Sequence, residues 1–542
     1  MRLHLSEGGA RPWHRAGAVW ARGVAFAPDG ALLIGAALAD HLDGAGEDFA
    51  GRVAALDGTF AAVRTGEVAV AAVDRVRSMP LFYGRGAEGT WHLSDDARHV
   101  ADRTGAQLDD PLAVAEFMLA SATSGPSTLS TSVRQVQAGE AVTLGAGGAT
   151  GTRYYRYGVA PLFDAPEEDL VEEGARLFDR AFERFLVSVQ GQPIVVPLSA
   201  GLDSRLIAAM CVRGGRTDAL CFSYGRRRSF EAQASRRVAD ALGLRWTFVP
   251  YANRAWHRWF ASAGFQQFRR AATGLTAIEH EQDWPAVLAL RERGLPEDAA
   301  FVPGHSGDFI SGAFYAASPA DFERDPVEWL WRRYYAEWPS QGLAPQVVAG
   351  LRDRIAERIE DAASPLEAFS KFGWQERQAK MIVNSIRVYE HHGFDWRLPL
   401  WLSGDVLDFW SRVPVELRRG RALYRRVVRR LVGDAVYDLP STLRREPPLT
   451  GKLRRLTDRD AGRYGIWLGP RPLAAALRTR VEDLVADHTR AHPVVGPVVD
   501  AVVRPLARRP VPWATINGLL ALSELNDLTR EGSTLYLGRS GV

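Results

Sequence analysis

The chain has 542 residues, too many for one ordinary core, so two or more domains are expected. Its 67 basic and 64 acidic residues leave a net charge of +3, and 46% hydrophobic with 24% charged residues is an ordinary globular balance. That composition gives no argument for nucleic-acid or membrane binding, and two cysteines, Cys211 and Cys221 in apolar stretches, argue against a disulfide framework or a cysteine zinc site. The basic side is almost all arginine. Lys371, Lys380 and Lys452 are the only lysines, so lysine chemistry has only those candidates. Met1-Arg2-Leu3-His4 opens no signal-like apolar run, and no stretch is apolar enough to span a membrane; the expectation is a soluble, cytoplasmic protein.

Residues 1–155 alternate short apolar runs with Gly, Asp and Pro, as in Gly23–Phe26, Ala31–Ala37, Gly58–Val63 and Val68–Val73. This texture predicts strands and turns, interrupted by one helix at Pro111–Ala120. The glycine-rich stretch Gly145–Thr152 is expected to be a turn or linker. From about 165 the period changes: Glu167–Phe185 has helical spacing, and Pro193–Leu198 is a short apolar strand. A small-residue turn and a helix over Arg205–Cys211 follow, then strand Ala219–Tyr224, helix Glu231–Leu242 and strand Trp246–Val249. Alternating strands and helices predict parallel βαβ units in a doubly wound sheet, and beyond about 320 the chain is expected to be mainly helical.

The turn Ser199-Ala200-Gly201-Leu202-Asp203-Ser204 lies between such a strand and helix. Small residues there let backbone N–H groups approach phosphate oxygens, and the helix N-terminus favours negative charge. Asp203 suits that place if it holds Mg²⁺ against the pyrophosphate; the alternative is a plain turn with a helix-capping Asp.

The strand–SxGxDS–helix arrangement resembles the PP-loop of ATP pyrophosphatases, which cleave ATP between the α- and β-phosphates. Three later segments resemble the asparagine synthetase family of that superfamily. Gly304-His305-Ser306-Gly307-Asp308-Phe309-Ile310-Ser311-Gly312 is similar to its G-[DE]-G-x-D-E-x-x-G segment. Gly393-Phe394-Asp395-Trp396-Arg397-Leu398-Pro399-Leu400 is similar to G-x-E-x-R-x-P-F, and the helix Arg421–Leu431 with Leu439-Pro440 follows in the family's order. The resemblance implies a PP-loop, adenine nucleotide α-hydrolase-like domain over 165–542 with a helical C-terminal part. It also implies ATP and Mg²⁺ as cofactors, with Asp203 and Asp308 as metal ligands. Ser199, Ala200, Gly201, Leu202, Asp203, Ser204, Ser223 and Gly304 are the implied nucleotide-binding residues.

Three catalytic candidates are implied. Lys452, with Arg445 as substitute, would supply the family's cation after the Leu-Pro segment; the bland reading is an exposed loop cation. His305 stands where β-lactam synthetases carry a catalytic tyrosine, and is either the base for the attacking amine or a hydrogen-bonding residue of the pocket. Asp395 takes the glutamate position of its segment. The sequence departs from the family at Ala200, His305 and Phe309, which stands where a glutamate is usual.

Residues 1–155 resemble the class II glutaminase-like domain that precedes this synthetase domain, an Ntn-hydrolase-like αββα sandwich. Leu56–Ala61, Pro80-Leu81-Phe82-Tyr83 and Ser94–Ala97 carry that likeness. Such a glutaminase needs cysteine directly after Met1, where this chain has Arg2, so glutamine hydrolysis is not expected. The implied function is an AMP-forming amide ligase. It would adenylate a small-molecule or peptide carboxylate for attack by ammonia or an amine, with a homodimer or pathway partner, no nucleic acid and no membrane. The alternative is a catalytically retired ATP-binding scaffold.

Overall fold

A computed structural model describes residues 1–542 except 45, 47, 226–228, 252–257, 260, 314–323, 336–337, 339, 402, 441–486, 505–515 and 531–542. The first strands are β1 (Arg2–His4), β2 (His14–Ala16), β3 (Val19–Phe26) and β4 (Leu32–Ile34), then helices α1 (Ala36–Asp43) and α2 (Phe49–Ala54). Next come β5 (Asp57–Arg64), β6 (Ala69–Val73), β7 (Phe82–Arg85), β8 (Trp91–Ser94), α3 (Ala97–Thr104) and α4 (Pro111–Ala120). Strands β9 (Arg134–Gln135), β10 (Glu140–Gly145) and β11 (Gly148–Arg153) finish this part.

These strands form two sheets, one ordered β11-β10-β6-β5-β3-β2 with β4 beside β3, the other β1-β8-β7-β9. Side chains alternate faces along a strand, so each sheet buries two sets of residues. Ala61, Val63, Ala71 and Val73 point between the sheets and pack with Tyr83 and Leu93. Phe60, Ala62 and Ala72 point the other way, under Leu38, Leu42, Phe49 and Val53 of α1 and α2. Phe82 faces Val100 of α3 and Phe117 of α4. Helix, sheet, sheet and helix therefore stack as the αββα sandwich expected from the sequence.

Two local expectations differ. The apolar run Ala31–Ala37 divides between β4 and the start of α1. The glycines of 145–152 build a hairpin rather than a linker, with Gly145 paired to Gly148 and an exposed strand β11. Small residues serve there because β11 is an edge strand with little to bury.

The second part begins with α5 (Glu167–Ser188), whose Leu170, Leu177, Phe178, Ala181, Phe182 and Phe185 are buried at helical spacing. It continues through β12 (Ile194–Pro197), α6 (Leu202–Arg213), β13 (Leu220–Gly225), α7 (Phe230–Ala241), β14 (Arg245–Pro250), β15 (Ala300–Phe301) and β16 (Asp395–Trp396). The sheet is wholly parallel in the order β14-β13-β12-β15-β16. The chain enters at the centre with β12, winds outward through β13 and β14, then returns to the other side of β12 with β15. The order thus reverses between β12 and β15, and in open α/β sheets the crevice beyond the strand ends at such a point is the ligand site. Past β15, β16 is the one further strand among the described residues, and the rest is helical or irregular. No described helix is long and apolar enough to cross a membrane.

The opposite, amino end of the sheet holds Asp395. It opens β16 level with Ala300 and Ile194, the first residues of their strands. Its carboxylate lies between Arg11 (2.5 Å) and Arg397 (2.6 Å), and Gln192 donates to it at 3.2 Å. Arg11 also donates to the Trp396 carbonyl and lies 4.0 Å over the Trp396 ring, so this cluster ties the first residues of the chain to the parallel sheet. Asp395, a catalytic candidate from the sequence, thus lies at the opposite end of the sheet from the turns that follow β12 and β15.

Burial pushes the Asp395 carboxyl up, but Arg11 and Arg397 outweigh it and hold it at about 2. A depressed carboxyl stabilises the fold above its unfolded value and loses that contribution as pH falls through its folded one. Asp395→Asn is therefore expected to cost about 2 kcal/mol or more at pH 7, since two buried guanidinium groups lose their carboxylate. It should also flatten the fall in stability between pH 4 and 2, both effects being read by denaturant unfolding across pH.

Candidate active site

The crevice between β12 and β15 is built from two turns in close contact. The first, after β12, is Ser199–Ser204. Leu198 N–H still donates to the Phe222 carbonyl at 2.8 Å, so the turn starts from a fixed strand end. Ser199 N–H donates to Ser204 Oγ at 3.0 Å and Gly201 N–H to Ser199 Oγ at 3.1 Å, folding the turn on its own hydroxyls. Gly201 caps α6 without a side-chain hydrogen bond. The first-turn N–H groups of this 12-residue helix thus have no side-chain acceptor, which suits an anion. Ala200 and Leu202 are buried and anchor the turn from beneath.

The second turn, Gly304–Asp308, leaves β15. A Cβ on Gly304 would stand 2.8 Å from the Ser204 nitrogen, and one on Gly307 would stand 2.6 Å from the Asp203 carboxyl carbon. These two glycines let the turns approach, and they explain why the segment reads glycine at both places. Ser306 takes a left-handed φ of 63° and donates from Oγ to Gln378 Oε1.

Asp203 and Asp308 face a common cation, Arg421. Arg421 donates to Asp203 Oδ1, and its charge is felt by both carboxylates. Burial pushes the Arg421 guanidinium down, but Asp203 outweighs it and the group stays above its ordinary value. Its carbon sits 4.6 Å over the Tyr424 ring, and burial together with Asp203 pushes the Tyr424 hydroxyl well up, so it stays protonated. Arg205, fully buried in α6, donates to the carbonyls of Val436 (2.9 Å), Tyr437 (2.9 Å), Leu439 (3.2 Å) and Pro440 (3.1 Å), and to Ala200 at 3.3 Å. One guanidinium thus fixes the segment 436–440 against the first turn.

His305 is half-buried, with Nδ1 3.0 Å from Ser385 Oγ. The Ser385 hydroxyl donates to the Ile382 carbonyl at 2.6 Å, so its proton is used there and His305 Nδ1–H is the donor. Nε2 then carries the free lone pair. Burial, then nearby His280, pushes the imidazole down to about 3, leaving it neutral at ordinary pH.

The expected residues thus divide. The structure brings together Ser199, Gly201, Asp203, Ser204, Gly304 and Asp308, with His305 in the same second turn. Ser223 is buried in β13, 2.5 Å from the Leu198 carbonyl just past β12 and 2.7 Å from Ser235 Oγ of α7, so it ties the strand to both. Asp395 is at the other end of the sheet. Lys452 and its substitute Arg445 lie outside the described residues.

Arg421, Arg205 and Tyr424 were not singled out from sequence. Arg205 had a signal, a charge inside the apolar helix Leu202–Cys211. Arg421 opens the segment Arg421–Leu431 noted from the sequence, but nothing there set it apart from the other arginines near Gly420.

Two carboxylates offer the hard oxygen donors that Mg²⁺ prefers. Among the described residues no group of three or more His, Cys, Asp or Glu is placed to hold a metal. A divalent ion at Asp203 and Asp308 would therefore take its other ligands from phosphate and water, and the residues present fit that role.

Residues 173–262, which include the first turn, match the family model of asparagine synthase. A 53-residue stretch is 51% identical to 7-cyano-7-deazaguanine synthase of Kineococcus radiotolerans, covering 10% of this chain and 23% of that protein. The chain therefore spans about a quarter of the length of the curated relative it matches. Among solved structures, an NH3-dependent NAD synthetase from Campylobacter jejuni bound to nitrate is 16% identical at a TM-score of 0.19, covering 36% of this chain and 94% of that one. An allosteric regulatory enzyme of purine biosynthesis is 11% identical at a TM-score of 0.18, covering 54% and 56%. Likeness at that level carries no weight for the fold, which rests on the observed strand order.

Gly304→Ala is expected to destabilise the protein by about 1–3 kcal/mol, because the added methyl meets backbone at the contact between the turns. Gly147→Ala, which like Gly304 has no positive φ but has nothing within 4 Å of its Cβ, is the control that lacks the clash. Comparison of the two unfolding midpoints checks it.

Proposed function

We propose, from the asparagine-synthase-type PP-loop that this chain carries, that it is an AMP-forming carbon–nitrogen ligase. A carboxylate, ATP and an amine or ammonia would give the amide, AMP and pyrophosphate. The family match supports ATP-dependent ligation or adenylation in general terms. The observation that carries the finer reading is the pair Asp203 and Asp308, on adjacent turns beside the uncapped start of α6.

When bound, ATP supplies the bond whose cleavage activates the carboxylate, and Mg²⁺ supplies positive charge to the phosphates. The protein's own part is distinct. First-turn N–H groups of α6 would hold phosphate oxygens, and Asp203 and Asp308 would hold the metal. Arg421 offsets negative charge when the two carboxylates and phosphates meet. His305 accepts the proton of the attacking nitrogen at Nε2, while Ser385 fixes its tautomer at Nδ1. Lys452 or Arg445 is proposed as a further cation for the leaving AMP.

We assign residues 1–155 to a glutaminase-like domain that no longer hydrolyses glutamine, and 165–542 to the synthetase domain. Both cysteines support that reading. Cys211 and Cys221 are buried in the parallel-sheet part, and burial pushes each thiol up to about 12, so neither is a thiolate at neutral pH. The pairing of Arg421 with Asp203 favours a second reading, in which a guanidinium has replaced the metal and the site is a retired scaffold.

Exchange of labelled pyrophosphate into ATP, driven by an added carboxylate, separates the two. The ligase reading expects exchange with at least one acid and its loss in Asp203→Asn and Asp308→Asn. ATP binding without exchange across an acid library would favour the scaffold.

His305→Phe should leave exchange intact and slow amide formation by about 10²-fold or more. Because the folded imidazole titrates near 3, below its ordinary value, it stays a neutral base as pH falls from 8 to 5. Amide formation should therefore show no acid limb near pH 6.5 that depends on His305. Such a limb, present in the native protein and absent in the variant, would overturn the assignment.

A further inference from the structure

A cavity of about 230 Å³ lies where the αββα layers meet the helices Ala263–Thr273 and Arg387–His391. None of its lining residues belongs to the two turns of the candidate active site. Met79, Phe82, Phe268 and Ala272 give it an apolar wall. Three arginines also line it, and two are neutralised in place. Arg22 pairs with Asp95 at 3.3 Å, and Arg387 pairs with Glu390 and donates to the Ser78 carbonyl.

Arg77 is the third, and it is different. It is 1% exposed, its Nε donates to the Val136 carbonyl at 3.1 Å, and its buried Nη2 has no hydrogen-bond partner. Among the described residues no carboxylate lies within ion-pair distance of it. Asp74, three residues earlier, is engaged elsewhere: its carboxylate accepts from the N–H groups of Phe60 (2.9 Å), Val76 (2.7 Å) and Ser78 (3.2 Å). The backbone of Arg77 is also left-handed, at φ 54°, where glycine is the residue of least strain. Asp74 and Glu376 act on this charge only from beyond ion-pair distance, and its guanidinium carbon lies 5.6 Å over the Phe82 ring. A strained position thus places a buried guanidinium with no ion-pair partner against a cavity, and both features oppose folding unless an anion completes the site.

We propose that this cavity is a binding site for a small organic carboxylate, its carboxylate on Arg77 and its apolar body against Met79, Phe82 and Phe268. The volume is below that of drug-sized ligand pockets, which excludes a nucleotide. The apolar wall favours a short aliphatic acid over inorganic phosphate, which would leave that wall wet. Burial, then Arg387, pushes the guanidinium down to about 9, so it remains charged at neutral pH. The proposal does not depend on the ligase reading, since it involves neither Asp203 nor Asp308.

Calorimetric titration of the full chain at pH 7 and constant ionic strength tests it, with sodium butyrate, butyramide and inorganic phosphate as probes. Butyrate is expected to bind at one site, and butyramide is not. Arg77→Gly suits the left-handed backbone and is expected to fold. It should weaken butyrate by about tenfold or more, the cost of losing a charged hydrogen bond. Arg77→Met, which keeps much of the side-chain bulk, should weaken it equally. The free Arg77→Gly protein should also melt higher than the native one, because the strain and the unpaired charge are gone. No butyrate binding, binding unchanged in Arg77→Gly, tighter binding of phosphate, or a lower melting temperature in Arg77→Gly would each overturn the proposal.

Discussion

The candidate site depends on one close contact, the approach of the Gly304–Asp308 turn to Asp203 and Ser204. Adjacent parallel strands are held at a fixed spacing by their hydrogen bonds, so turns leaving β12 and β15 at the same end are already neighbours. What remains is to bring a carboxylate from each into one crevice, and side chains on the facing backbone would prevent it. Gly304 and Gly307 remove that obstacle. The strand order β14-β13-β12-β15-β16 then decides that the contact falls at the reversal point, where no crossover helix fills the crevice.

Arginine does much of the work of holding this crevice in shape. Arg205 gathers four carbonyls of the 436–440 segment and one from the first turn, a use of a planar, multi-donor cation that an ammonium group could not reproduce. Arg11 and Arg397 grip Asp395 at the far end of the same sheet. The two clusters have different consequences. At Asp395 both carboxylate oxygens are buried and accept hydrogen bonds. At Asp203 a single guanidinium meets a carboxylate that stays partly open, so a second cation can still approach.

The sequence made the local parts of this architecture legible. Strand, small-residue turn and helix follow one another within 193–213, and their signals are period and turn chemistry, which are short-range. The αββα layering was readable only through resemblance, because its strands pair across long separations, as β1 does with β8. Long-range pairing also hid the contact of Arg421 with Asp203, 218 positions away, and the place of Asp395 at the amino end of the sheet. An acidic residue in a motif looks the same whether it opens a strand at the amino end of the sheet or follows one at the carboxyl end. The glycines of 145–152 misled for a related reason: small residues mark an exposed hairpin as readily as a linker.

His305 shows how a distant segment completes a local motif. The segment Gly373–Ile382 is wound as a π-helix, a rare form that recurs beside functional sites. Gly373 lets it pack on Phe309, where a Cβ would stand 2.7 Å from the ring. From there Gln378 reaches Ser306, and Ser385, just beyond the winding, reaches His305. Phe309 is thus the surface on which this segment docks. An apolar neighbour for Asp308 and a fixed imidazole tautomer are then two results of one packing arrangement. A glutamate at 309 would have to be buried against Gly373 and Trp374, and that burial would displace the segment that orients His305.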